Sequence, residues 1–257
     1  MRIASYNING ITSRLPVLLR WLSEFAPDIA CLQELKCTDA AFPAAALADA
    51  GYAAIWHGQP RWNGVAILSR VGDPVETRRG LPGDAKDDHS RYIEAAVAGV
   101  LIGNLYLPNG NPKPGPKFDF KLQWMDRLAD HARGLIAAEV PALLIGDYNV
   151  IPTDEDVYKP ERWKKDALFS AEAKEKFAAL VGQGWTDSIR HLYPAERIYT
   201  FWPYWRQSFE RDSGIRIDHA LLSPSLAPRL KAAGVDRTPR GWDKTSDHAP
   251  MWVELKA

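Results

Sequence analysis

The sequence predicts an α/β (α+β) fold built from packed layers of sheet and helix. Three observations predict it. Short apolar or alternating runs recur along the 257 residues, and helical segments interrupt them. Turns at Trp62-Asn63-Gly64 and at Gly99 join neighbouring strand runs directly, as hairpins do and parallel crossovers do not. Third, Ala142-Leu143-Leu144-Ile145-Gly146 is too short for a helix and ends in Asp147-Tyr148-Asn149. That is the form of a buried strand delivering polar groups at its carboxyl end, where sites gather in α/β sheets.

The elements follow in order. Residues 2–7 alternate and reach a polar tip at Asn7. Thr12 or Ser13 can cap the helix marked by Leu15, Leu18, Leu19, Leu22 and Phe25, which Pro27 stops. Ile29 to Gln33 reads as a buried strand with Glu34 at its end. An alanine-rich helix covers about 42–50, and strands follow near 52–57 and 63–70. Residues 72–90 read as a surface loop around one weak strand, and strands cover 91–98 and 100–107. After the Pro/Gly-rich stretch 109–116, Phe118, Leu122, Met125, Leu128, Ala132 and Leu135 mark a long amphipathic helix. A helix covers about 170–182, and strand signals return at 198–202, 215–223 and 249–255. There is no internal repeat and no low-complexity tract; length alone permits one large domain or two small ones, and a single domain over 1–257 is the expectation.

Bulk properties exclude some classes. Hydrophobic residues are 46% and charged residues 25%, ordinary for a chain with a full core. No apolar run approaches a bilayer span, and the first residues lack the apolar segment of a signal peptide. The two cysteines, Cys31 and Cys37, form no zinc pattern, so a reducing, cytoplasmic setting fits. The 32 basic and 32 acidic residues balance, which argues against coating nucleic acid through bulk charge. Lys113, Lys117 and Lys121, and the group Lys159, Arg162, Lys164 and Lys165, are expected to be solvated surface.

Four strand ends carry oxygen ligands or acid–base groups: Asn7, Glu34, the pair Asp147 and Asn149, and Asp247-His248. Asp147 and Asn149 share a strand face, although the same residues also suit a turn. Asp218 lies inside an apolar strand, where a carboxylate needs a partner. That partner is Arg216 or a histidine elsewhere. Hard cations such as Mg²⁺ take carboxylate and amide oxygens, which Glu34 and Asp247 can supply. Phosphoryl transfer also needs a group to orient water and donors for non-bridging oxygens. Asp147, His248, Asn149 and Asn7 match those needs.

The sequence resembles the exonuclease III family of DNA-repair nucleases, within the DNase I-like endonuclease/exonuclease/phosphatase superfamily. The resemblance is carried by Ser5-Tyr6-Asn7-Ile8-Asn9-Gly10, Leu32-Gln33-Glu34-Leu35-Lys36, Gly64-Val65-Ala66-Ile67-Leu68, Tyr106-Leu107-Pro108-Asn109-Gly110, Gly146-Asp147-Tyr148-Asn149, Arg216-Ile217-Asp218 and Ser246-Asp247-His248-Ala249-Pro250. These blocks run from end to end of the chain. Gly-Asp-x-Asn and Ser-Asp-His are superfamily-wide, whereas Gln-Glu-x-Lys and Tyr-x-Pro-x-Gly narrow the match.

The resemblance implies a four-layer α/β sandwich with two central, mainly antiparallel or mixed sheets and a site at one edge. It implies that Glu34 ligates a Mg²⁺ or Mn²⁺ ion, with Asn7 and Asp247 helping. Asp147 then activates water, Asn149 and Asn7 hold the phosphate, and His248, oriented by Asp218, contacts it. Tyr106, Asn109 and Arg91 are further phosphate contacts. The partner implied is double-stranded DNA with abasic sites or 3′ ends, cut by a monomer. The stretch Tyr199 to Trp205, with Ile215, falls where the family probes the DNA, but its large rings depart from the best-known member's order, as does 156–163. Phe201 and Trp202 alternate, so they face opposite ways unless the chain bends, and Trp202 is expected to stack in preference to Phe201. Two other functions stand beside the nuclease: a relative acting on an inositol phosphate or phospholipid, and a non-catalytic DNA-binding module.

Overall fold

The computed structural model describes residues 1–256. In chain order the elements are β1 (Arg2–Asn7), α1 (Ile11–Phe25), β2 (Ile29–Gln33), α2 (Ala44–Asp49), β3 (Ala53–His57), β4 (Val65–Ser69), β5 (Val75–Arg79), β6 (Tyr92–Val97), β7 (Val100–Tyr106), α3 (Pro116–Ala137), β8 (Ala142–Asp147), α4 (Ala171–Val181), β9 (Thr186–Asp187), α5 (Ser188–Leu192), β10 (Asp218–Leu222), β11 (Leu230–Val235) and β12 (Met251–Leu255). They form two six-stranded sheets, ordered β11-β12-β1-β2-β4-β3 and β5-β6-β7-β8-β10-β9. Each is antiparallel except for one parallel pair, β1–β2 or β7–β8. In both, a helix makes the crossover, α1 in the first and α3 in the second.

Strand alternation makes the layers. In β1, Ile3 enters the core between the sheets while Ala4 and Tyr6 face Leu18, Trp21 and Leu22 of α1. In the second sheet, Ile102, Leu143 and Ile145 face inward, while Leu105 and Leu144 meet Trp124, Met125 and Leu128 of α3 and Phe177 of α4. The result is helix, sheet, sheet, helix, the expected four layers. Gly146 permits close approach of β8 to β7: a Cβ there would lie 2.0 Å from the Leu105 oxygen. No helix is long and apolar enough to cross a membrane among the described residues.

The sheets are also tied by polar groups. Gln33 Nε2 of β2 donates to Asn104 Oδ1 of β7 at 2.7 Å. Asn104 Nδ2 donates in turn to the Leu32 and Ala66 oxygens at 2.9 and 2.8 Å. A second buried network lies outside the sheets' ladder. Arg216 is wholly buried and its guanidinium reaches Asp156 at 2.6 Å and Asp187 at 2.9 Å. Arg190 adds a contact to Asp156 at 2.5 Å. Together these fasten the irregular segment 151–169 to α5 and to the chain entering β10.

Several expectations need correction. Thr12 and Ser13 lie inside α1, whose N-cap is Gly10 with no side-chain bond. The strand at 198–202 does not form; Phe201 makes only single bridges, to Ile215 and to His248. β10 begins at Asp218, not at 215, because 215–217 pair with those irregular segments instead. Trp202 is wholly buried against Tyr199 and Ala249, and its indole N–H donates to Asp212 at 3.1 Å. It is therefore core, and a base cannot stack on it here.

Two outcomes follow from this packing. Trp202→Ala should cost about 3–5 kcal/mol of unfolding free energy in urea titration, as truncation of a buried large aromatic ring does. Asp156→Asn should cost about 3 kcal/mol near neutral pH, because it takes a carboxylate from the buried Arg216. Although burial pushes Asp156 upward, Arg216 and Arg190 outweigh it and hold the carboxyl well below its ordinary range. A depressed carboxyl contributes stability above its unfolded value of about 3.9 and loses it as pH falls. The gap between wild type and Asp156→Asn should thus close on acidification below about pH 4.

Candidate active site at the paired strand ends

The two parallel strand pairs place their carboxyl ends at the same edge of the sandwich. Asn7 ends β1, Glu34 follows β2, Tyr106 ends β7 and Asp147 ends β8. Asp218 opens β10 directly opposite Asp147. His248 lies just before β12, whose antiparallel pairing with β1 brings it to that edge. Sequence-distant groups thus meet because of sheet register.

Asn7 bridges the sheets. Its Nδ2 donates to Glu34 Oε1 and to Asp147 Oδ2, both at 2.9 Å. Its Oδ1 accepts the Asn9 N–H at 3.0 Å and keeps a second lone pair that a cation can use. Glu34 sits in a left-handed backbone conformation, φ 52°, and pairs with Lys36 at 2.8 Å. Burial pulls Glu34 upward, but Lys36 and the Asn7 hydrogen bond outweigh it and leave the carboxyl below its ordinary value. Asp247 Oδ1 accepts from Asn9 Nδ2 at 3.0 Å. Tyr204 Oη bonds the Thr245 oxygen at 2.9 Å beside it.

Asp147, His248 and Asp218 form a buried line. His248 Nδ1 lies 2.8 Å from Asp218 Oδ2, and its Nε2 lies 3.8 Å from Asp147 Oδ2. Burial opposes charge on the imidazole, but Asp218 first, then Asp147 and Asp247, raise it to about 10. Burial, with the neighbouring charges of Asp218 and Glu34, pushes Asp147 up to about 7 against the pull of His248. The proton therefore resides on His248. The three groups offer ligand atoms within 4.8 Å of one another. A charged imidazole already bonded to Asp218 repels a cation, so Glu34 and Asp247 on the outer side suit one better. Their donors are all oxygen, with no thiol, which fits a hard divalent ion.

The remaining residues line the approach. The Tyr106 phenol is held protonated by burial and by the charges of Glu34 and Asp147. The Arg91 guanidinium stacks over the Tyr106 ring at 4.7 Å, and its buried Nε has no hydrogen-bond partner. Asn149 is left-handed, φ 49°; its Oδ1 accepts from Asn109 Nδ2 at 3.2 Å. Arg91, Tyr106 and Asn109 open onto a cleft of about 480 Å³, shared with the exposed Trp62. Phe201 is half-buried, with its ring edge-on to His248 at 5.0 Å, and Ile215 lies buried behind it. The structure thus brings every sequence-predicted site residue to this edge except Trp202.

Asp218 has the histidine for its partner, His248. Arg216 is engaged elsewhere. His219 is structural: its Nδ1 accepts from Arg216 at 2.9 Å and its Nε2–H donates to the Val150 oxygen at 2.9 Å. Lys121 is a correction. Expected on the surface, it is wholly buried, and burial pushes its ammonium down to about 7. The helical spacing from Phe118 to Met125 placed it on the apolar stripe, a signal that its charge concealed. Lys36 and Asn9 were also missed as site residues, although both lie within the quoted motifs.

Comparison with known proteins agrees with this geometry. Residues 4–248 match the Endonuclease/Exonuclease/phosphatase family. The chain is 34% identical to the exodeoxyribonuclease III of Haemophilus influenzae, covering 100% of each chain. It superposes with a TM-score of 0.96 and 39% identity on a 3′-5′ exonuclease from Neisseria meningitidis, again over the whole of both chains. An AP endonuclease from Archaeoglobus fulgidus superposes with a TM-score of 0.95 at 36% identity, with 100% of each chain covered. The chain belongs to the endonuclease/exonuclease/phosphatase family.

Proposed function

We propose that the chain is a divalent-metal-dependent DNA-repair phosphodiesterase. It cleaves 5′ to abasic sites, or removes nucleotides or blocking groups from 3′ ends, and leaves a 3′-hydroxyl. It acts as one domain and as a monomer on double-stranded DNA, in a cytoplasmic setting. The observation that carries this reading is the buried line Asp218–His248–Asp147 beside the Glu34 carboxylate. The relatives' names, an exodeoxyribonuclease III, a 3′-5′ exonuclease and an AP endonuclease, support DNA as the substrate.

In this reading Asp147 accepts a proton from the attacking water. A buried carboxyl near neutrality is well matched to that task. Asn7 and the Asn149 main-chain N–H, which donates to Asp147 at 2.9 Å, keep that carboxyl aimed. The His248 imidazolium, held by Asp218, stabilises charge on a non-bridging phosphate oxygen. The Tyr106 phenol, the Asn109 and Asn149 amides and the Arg91 guanidinium donate to other phosphate oxygens. The bond between phosphorus and the upstream 3′ oxygen breaks: the water oxygen stays on the 5′ phosphate, and the leaving 3′ oxygen takes a proton from solvent to become the 3′-hydroxyl. Glu34 and Asp247 would hold Mg²⁺ or Mn²⁺, which supplies positive charge at the phosphate. Phe201, not Trp202, is the ring that meets the displaced nucleotide, with Ile215 as its apolar backing.

Three measurements test this. Cleavage of a duplex with one abasic analogue, run beside an inositol phosphate, should occur for the DNA alone; hydrolysis of only the inositol phosphate, or binding without cleavage, refutes the reading. Excess chelator should abolish cutting and Mg²⁺ or Mn²⁺ restore it, and Glu34→Ala should lower kcat by about 10²-fold or more with the melting temperature kept. Asp218→Ala and His248→Ala should each lower kcat by about 10²-fold or more, and the double mutant should be little worse than either. Multiplicative losses would refute the pairing.

A further inference from the structure

Lys121 has no exposed surface. Its ammonium donates to the main-chain oxygen of Asn109 at 3.0 Å and to that of Asn149 at 2.5 Å. Those two oxygens belong to the residues whose side chains meet at 3.2 Å in the site. No strand ladder reaches Asn109 or Asn149: the last ties between the loops are the Leu107 N–H on the Asp147 oxygen at 2.8 Å and Asn149 Nδ2 on the Leu107 oxygen at 2.9 Å, and Lys121 adds the bond that reaches Asn109. Asn109 lies beyond β7 and Asn149 beyond β8. A buried charge is costly and a methionine would pack in the same stem. The stem is also tightly enclosed: a Cβ at Gly110, φ +89°, would come within 2.6 Å of Lys121 Cδ. A DNA phosphate has no path to an ammonium without exposed surface, so a backbone-binding role does not explain the lysine.

We propose that Lys121 is a positioning residue for phosphodiester hydrolysis. Its ammonium clamps the loop after β7 to the loop after β8 and fixes where Asn109 and Asn149 present their amides. The inference rests on the function proposed above. The clamp acts from beneath the site and touches neither substrate nor cation. Its loss therefore appears in the chemical step and not in DNA binding, since small misplacements of catalytic groups are strongly felt.

The test compares Lys121→Met and Lys121→Arg with wild type on an abasic duplex, recording kcat, KM and melting temperature. Lys121→Met should lower kcat by roughly 10- to 100-fold with KM within about threefold. Lys121→Arg, which keeps charge and donors, should recover much of kcat. A rise in KM with kcat kept, or an unchanged kcat in Lys121→Met, overturns the clamp. If Lys121→Met does not fold, Lys121→Gln, which keeps part of the stem and a neutral donor, carries the test. Its loss of kcat at constant KM supports the clamp, and an unchanged kcat overturns it. Wild type inactive on DNA overturns the function itself, whereas active wild type with unaffected variants overturns the clamp alone.

Discussion

A charged carboxylate withdrawn from water needs partners, and the whole sandwich arranges them for Asp147. The residue is 1% exposed and lies at the end of a central strand. Its oxygens take hydrogen bonds from Asn7, which belongs to the other sheet, and from the main chain of Asn149. The third stabilising group, His248, comes from the far end of the chain. Satisfying this one group requires both sheets in register, β12 alongside β1, and β10 alongside β8. Fold and site are thus one constraint: a slip of any of these strands leaves a buried charge unpaired.

The same arrangement explains the uneven basicities. Three carboxyls, Glu34, Asp147 and Asp218, crowd one histidine, and the environments differ. Glu34 is compensated by Lys36 and stays low, suited to holding a cation. Asp147 has no cation of its own beyond the shared imidazolium and rises, suited to taking a proton. Environments that separate like groups in this way assign their work.

That there are four layers came from the resemblance alone; packed layers of sheet and helix were legible because alternation and helical period are strong in β1, α1, β2, α3 and β8. So were Asp147, Asn149, Glu34, Asp218 and His248, because polar groups at the ends of apolar strands have few structural reasons to be there. β11 was not legible: Lys231-Ala232-Ala233-Gly234 has weak strand character, and the strand is an edge one with a register shift. The orientation of Phe201 and Trp202 was hidden because their segment belongs to no ladder, so alternation could separate the two rings but not say which faced the site. The partners of Arg216 lie far off in sequence, and only assembly shows that Asp156 and Asp187 claim it. Lys121 was hidden because a lysine is read as solvated unless a carbonyl cage is known.

The single bridges that Phe201 makes to Ile215 and His248 have a mechanical consequence. The buried carboxyl groups and the residues beside them stand on strand ends, a frame whose geometry is set by many ladder bonds. The ring beside them hangs on a segment held by a few. Changes of length or sequence in 203–213 can reshape what surrounds that ring without moving the frame. The surroundings of the ring and the geometry of the carboxylate–histidine frame can therefore vary independently in this architecture.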